Sequence, residues 1–131
     1  MLIIFHAISM SLAFLLMLTA VVVAHFFRKK KWWLKIHKPL GALASLFSVL
    51  GLVFTVFFVA MGGGGHFQAL HSWFGISAFL LAIAAPILGQ AYLKGGKHKA
   101  LLKKLHPMAG GLALLLMLLS IIMGLRLAGF C

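Results

Sequence analysis

The sequence predicts an all-α integral membrane protein, an up-down-up-down bundle of four transmembrane helices built from two parallel helical-hairpin repeats. Three observations carry this reading. Of the 131 residues 64 % are hydrophobic and only 9 % charged, against about 25 % charged in a soluble domain. The apolar residues form four long runs, and a helix rising about 1.5 Å per residue needs roughly 20 of them to cross a ~30 Å hydrocarbon core. Finally, the two halves of the chain align on one another. The reading is one domain over residues 1–131, without a soluble appendage.

The first run, residues 2–27, has no basic stretch before it and a basic block after it, so it reads as a retained span and not a cleaved leader. The second covers 33–61, the third 69–93 and the fourth 100–128. The connections are a basic turn with tryptophans, the Gly62–Gly65 run and the Lys94-Gly95-Gly96-Lys97 turn, all short enough to make neighbouring helices antiparallel. Trp32, Trp33, Trp73 and Tyr92 fall at span ends, as an interfacial aromatic belt requires. Pro39 and Pro107 are expected in first helical turns and Pro86 within the third span, where it should kink the helix.

The chain carries 12 Lys+Arg and no Asp or Glu. All the basic residues but Arg126 lie in or beside the first and third connections, on one side of the bundle. By the positive-inside rule that side is cytoplasmic and both termini are outside. A charge bias at span ends points to membrane lipid and not to nucleic acid. The absence of carboxylates excludes acid-pair hydrolysis, carboxylate-bound metals and Asp/Glu proton relays. The single cysteine is Cys131, so there is neither a disulfide framework nor a Cys-x-x-Cys-His attachment. Chemistry is left mainly to seven histidines.

In the repeat, His6 precedes Ala13-Phe14-Leu15-Leu16 as His71 precedes Ala78-Phe79-Leu80-Leu81, and His37 precedes Gly41 and Ala44 as His106 precedes Gly110 and Ala113. Two-span units entering from the same side imply a pseudo-two-fold axis along the membrane normal. The first helix then faces the third diagonally and the second faces the fourth. His6 can meet His71 near the outer side, and His37 can meet His106 near the cytoplasmic side, the two levels about 20 Å apart. An imidazole inside a span needs a partner, and two facing imidazoles suit the axial positions of a six-coordinate haem iron. The same face of each helix is mostly small: Gly51, Thr55, Ser120 and Gly124 would make room at the outer level, Ala20, Ala24, Ala85 and Gly89 at the inner. Small residues also line ordinary membrane helix contacts, and the competing reading is a haem-free bundle whose histidines hydrogen-bond one another. The coincidence with four repeat-related histidines favours two non-covalent bis-histidine haems b.

With no carboxylate available, each ligand's Nδ1–H must be oriented by a carbonyl or a hydroxyl. Lys38, Lys103 and Lys104 are candidates to neutralise inner propionates, and Arg126 outer ones. His25 lies about 100° off the ligand face and reads as turned to a neighbour or the headgroups. His98 reads as solvated, and His66 as a loop residue or an acceptor contact.

These residues resemble the eukaryotic-type cytochrome b561 family, transmembrane proteins that include ascorbate-dependent ferric reductases. The resemblance rests on Phe5-His6, on His37 after a lysine-rich stretch and before Gly41, on Leu70-His71-Ser72-Trp73-Phe74-Gly75, and on His106 with Gly110 and Gly124. It covers nearly the whole chain as a four-helix core, without the family's flanking first and last spans. It implies one haem b on His6 and His71, another on His37 and His106, and electron flow from a cytoplasmic donor to an outer acceptor. Lys31 and Lys35 are similar in position to the family's donor-site lysines, which suit an ascorbate-like anion; a quinol is the other donor expected. The outer acceptor is a ferric chelate or a partner cytochrome. Two further expectations compete: a non-catalytic haem-bearing anchor subunit of a larger oxidoreductase, and a redox-inactive scaffold or small transporter. A homodimer is left open.

Overall fold

The apolar runs become helices because a spanning backbone must satisfy its own hydrogen bonds. The computed structural model describes residues 1–62 and 67–129, and they form α1 (Leu2–Phe26), α2 (Trp33–Gly62), α3 (Leu70–Lys94) and α4 (Lys99–Leu127). Each helix is long and apolar enough to cross a membrane, and there is no strand among the described residues. The chain is an integral, multi-pass membrane protein. The α3–α4 turn is closed by Gly95 and Gly96 at φ of 80° and 100°, a region that costs a side-chain-bearing residue strain. Gly62 ends α2, while the remaining glycines of that run, together with His66 and Cys131, lie outside the described residues.

Helix α1 packs along α2 and α3 along α4, far more extensively than the two hairpins pack on each other through α1–α4 and α2–α3. The diagonal pairs α1–α3 and α2–α4 do not touch through their backbones among the described residues. At the waist the helices close on Ala13, Met17, Ala44, Ala78, Ala82, Ala113 and Met117, all buried. Small side chains allow this close approach in a bundle whose surroundings are as apolar as its core. Leucines point the other way: Leu15, Leu46, Leu80 and Leu115 are 51–60 % exposed, the surface a lipid tail covers.

The packing exposes a repeat finer than the hairpin. Counting from His6, His37, His71 and His106, the seventh residue is a fully buried alanine and the ninth one of those exposed leucines, in all four helices. The four helices therefore share one motif, a histidine followed by a buried alanine and an exposed leucine.

Pro39 and Pro107 sit more than a turn inside α2 and α4, not in first turns. The helices start earlier because their basic N-terminal segments extend past the apolar region, where the carbonyls that proline leaves unbonded, those of Lys35 and Lys103, can meet water. Helix α3 runs unbroken through Pro86.

Candidate functional site

Each of the four repeat-related histidines donates through Nδ1 to a carbonyl of the other helix in its own hairpin. His6 reaches Gly51 at 2.8 Å and His37 reaches Ala20 at 2.9 Å; His71 reaches Ser120 and His106 reaches Ala85, both at 2.7 Å. Each acceptor lies fourteen residues beyond the histidine of its own helix, so the arrangement is made four times. A carbonyl oxygen only accepts, which puts the ring hydrogen on Nδ1 and leaves Nε2 with its lone pair. The carbonyl orientation expected in the absence of carboxylates is what the fold provides.

The rings pair across the hairpins. His6 and His71 have centroids 6.1 Å apart with planes at 83°, and His37 and His106 stand 5.8 Å apart at 89°. All four side chains are half-buried. The two levels are separated along α1 by the fourteen residues from His6 to Ala20, roughly 21 Å of helix. The expectation in which the histidines hydrogen-bond one another is not what these rings do, since each Nδ1 is committed to a carbonyl.

Two glycines lie directly against the ligand-candidate rings. A Cβ on Gly89 would lie 3.0 Å from Cε1 of His106, and one on Gly124 would lie 3.0 Å from Cε1 of His71. Both positions give room to the imidazoles themselves. A Cβ on Gly51 would meet Sδ of Met10 at 2.6 Å, and one on Gly75 would meet Oγ of Ser120 at 3.3 Å. Gly41 and Gly110 differ, with nothing within 4 Å of an added Cβ.

Those two open glycines line a cavity of about 600 Å³ at the basic end, between His37 and His106, within the size range of cofactor sites. Its wall is apolar with a cationic mouth: Arg28, Lys38 and Lys103 border it. A flat, largely apolar group carrying acidic substituents fits such a space, and opposed nitrogen donors fit an iron at its centre. The sequence had suggested Lys38 and Lys103 but not Arg28, whose position in a block of four basic residues hides its direction. Lys104, Lys31 and Lys35 are exposed and outside this wall, and Arg126 is exposed near the far end of α4. His25, which is exposed, also borders the cavity and stands edge-on to Phe26 at 4.7 Å. Trp33 and Tyr92 turn inward to the same wall, Trp33 5.7 Å from His37 and Tyr92 under Nζ of Lys99 at 5.8 Å. Trp32 and Trp73 remain exposed. His98 is exposed ahead of α4, as expected.

A membrane bundle that opposes two pairs of oriented imidazoles, one pair near each side, defines a class of intramembrane redox protein. The chain matches the family profile described as eukaryotic cytochrome b561 over residues 5–130. It belongs to the cytochrome b561 family, whose members bind haem b and carry electrons in membranes. No curated protein and no solved structure gives a significant match.

Proposed function

We propose that the chain conducts electrons across a membrane through two non-covalent haems b, one held by His6 and His71 and the other by His37 and His106. The observation that carries this reading is the fourfold geometry: four Nδ1–H groups tied to carbonyls, four Nε2 atoms left for iron, and two ring pairs about 6 Å apart at two levels. When bound, each haem supplies a reversible one-electron iron couple. The protein's part is to fix the ring tautomers, hold the two sites at their levels and exclude water from the waist between them. Gly41 and Gly110 leave space in the inner cavity, and Gly75 lets Ser120 approach the turn that carries His71. Lys38, Lys103 and Arg28 neutralise acidic groups at the inner mouth, and Arg126 does so at the other end.

The basic side is cytoplasmic and the termini are outside. Lys31 and Lys35, exposed on the same side, draw in an ascorbate-like anion, while a quinol would approach from the lipid. The electron leaves at the outer side to a ferric chelate or a partner cytochrome, which makes the chain a transmembrane oxidoreductase. His66, outside the described residues, is the proposed outer contact. A pyridine haemochrome assay on detergent-purified protein tests the core of this reading. Two b-type haems per chain with a low-spin spectrum are expected, and His71→Ala should retain one. No haem after expression with adequate haem overturns it. Haems reducible by dithionite but by neither ascorbate nor a quinol would instead make the chain an anchor subunit.

A further inference from the structure

The four imidazole–carbonyl bonds repeat one arrangement, but the residues that supply the carbonyls differ in one respect. Gly51, Ala20 and Ala85, whose carbonyls orient His6, His37 and His106, carry no polar side chain, but the fourth orienting residue is a serine. Oγ of Ser120 lies 3.1 Å from Nδ1 of His71 while the Ser120 carbonyl accepts from the same nitrogen at 2.7 Å. The hydroxyl hydrogen is directed to the carbonyl of His71 itself at 3.3 Å. That direction turns an oxygen lone pair toward Nδ1–H, so the ring hydrogen is shared between two acceptors on one residue. Ser120 is 4 % exposed, in a low-dielectric setting that strengthens such contacts. Of the other two buried serines among the described residues, Ser48 donates to its own helix at Ala44, and neither it nor Ser9 makes a hydrogen bond to a histidine.

We infer that Ser120 is a positioning residue that sets the redox potential of the outer site through His71. The inference rests on the haem ligation proposed above. Acceptors on the far nitrogen of a ligating imidazole raise its basicity and fix its plane, and a more basic axial ligand favours ferric over ferrous iron. A second acceptor, present on one of four ligands, therefore lowers the potential of the site that His71 shares with His6. The inner site, with one acceptor on each ring, has no such contribution. The difference between the two potentials, which decides where an electron rests, is thus written partly in one hydroxyl.

The test is a potentiometric titration of the purified two-haem protein, with the low-spin signals resolved by electron paramagnetic resonance. In Ser120→Ala the midpoint of one haem should move to higher potential while the other stays at its wild-type value, with two haems per chain retained. Ser120→Thr, which keeps the hydroxyl, should restore the wild-type midpoint. Ala85→Ser, which installs a hydroxyl at the equivalent place beside His106, should lower the midpoint of the haem that Ser120→Ala leaves alone. Two haems with unchanged midpoints in Ser120→Ala, or equal shifts in both, overturn the role of Ser120 while leaving the haem ligation intact. If Ser120→Ala loses haem, Ala85→Ser decides, and its failure to move a midpoint overturns the inference. Wild-type protein with fewer than two haems overturns the ligation itself.

Discussion

At the scale of single residues, the small side chains of the inner face do two separate jobs, and substitution separates them. A Cβ added to Gly89 or Gly124 would stand 3.0 Å from an imidazole edge, so a methyl there meets a ring already held by a 2.7 Å hydrogen bond. The ring cannot yield without losing its carbonyl. Gly124→Val should therefore cost about 1–3 kcal/mol through overpacking and displace the His71 ring, leaving one haem per chain by pyridine haemochrome. A variant that still binds two haems would show that the ring has somewhere else to go. Gly41→Leu should do the reverse, because its Cβ meets no protein atom. The helix content and expression of that variant should match wild type while the inner haem is lost, since the new side chain fills space instead of moving a neighbour. Sequence reasoning identified all these glycines as small residues on the right face. It could not separate the two jobs, because a face gives direction but not the identity of the atom at the same depth on the next helix.

At the scale of helices, each hairpin is held by its own imidazole–carbonyl pair, one at each end, while the hairpins touch each other less. Ser45 supplies a direct polar link between them, its hydroxyl donating from α2 to the Ala82 carbonyl on α3 at 2.8 Å and also lying 3.1 Å from the carbonyl of Gly41. Removing an interhelical hydrogen bond in a membrane costs about 0.6 kcal/mol on average, and a serine hydroxyl can fall back on its own helix. Ser45→Ala should lower the unfolding free energy in mixed micelles by about that amount, without changing haem content; no measurable loss would mean that the link is replaced within α2. Helix limits were legible to within a residue or so, since apolar length and basic ends mark them directly. The hairpin repeat was legible too, from Ala13-Phe14-Leu15-Leu16 and Ala78-Phe79-Leu80-Leu81. The finer fourfold repeat was present in the sequence as His-x6-Ala-x-Leu, but antiparallel helices of one hairpin differ elsewhere, as Met10 and Met17 on α1 against Gly41 and Ser48 on α2 illustrate. That Arg28, Trp33 and Tyr92 border the inner cavity was not legible for a different reason: near the water boundary a side chain of either polarity can face in or out, and the periodic pattern that orients mid-span residues no longer decides.

At the scale of the whole molecule, orientation and pairing are divided between the two halves. Every Nδ1 hydrogen bond of a repeat-related histidine is made within a hairpin, whereas both ring pairs are made between hairpins, His6 with His71 and His37 with His106. A single hairpin therefore presents two oriented imidazoles, one at each level, but completes neither site. The protein-only contacts joining the halves are sparse beside those within them, and the inner cavity takes up part of the space between them, with Gly41 on one side and Gly110 on the other. A group ligated from both halves adds its binding free energy to their association, in the way that any ligand specific to the assembled state shifts assembly by mass action. Fragments 1–65 and 66–131, co-expressed with different affinity tags, should co-purify as a complex carrying two haems when haem is plentiful. In cells starved of haem they should separate, and in the full chain the same starvation should lower the thermal stability. His71→Ala fragments should associate through the remaining His37–His106 pair with an affinity reduced at least tenfold, and the double variant with His106→Ala should not associate. Association of the fragments at equal strength with and without haem would show instead that the waist of alanines and methionines holds the bundle together on its own, and that the haems occupy a structure already complete without them.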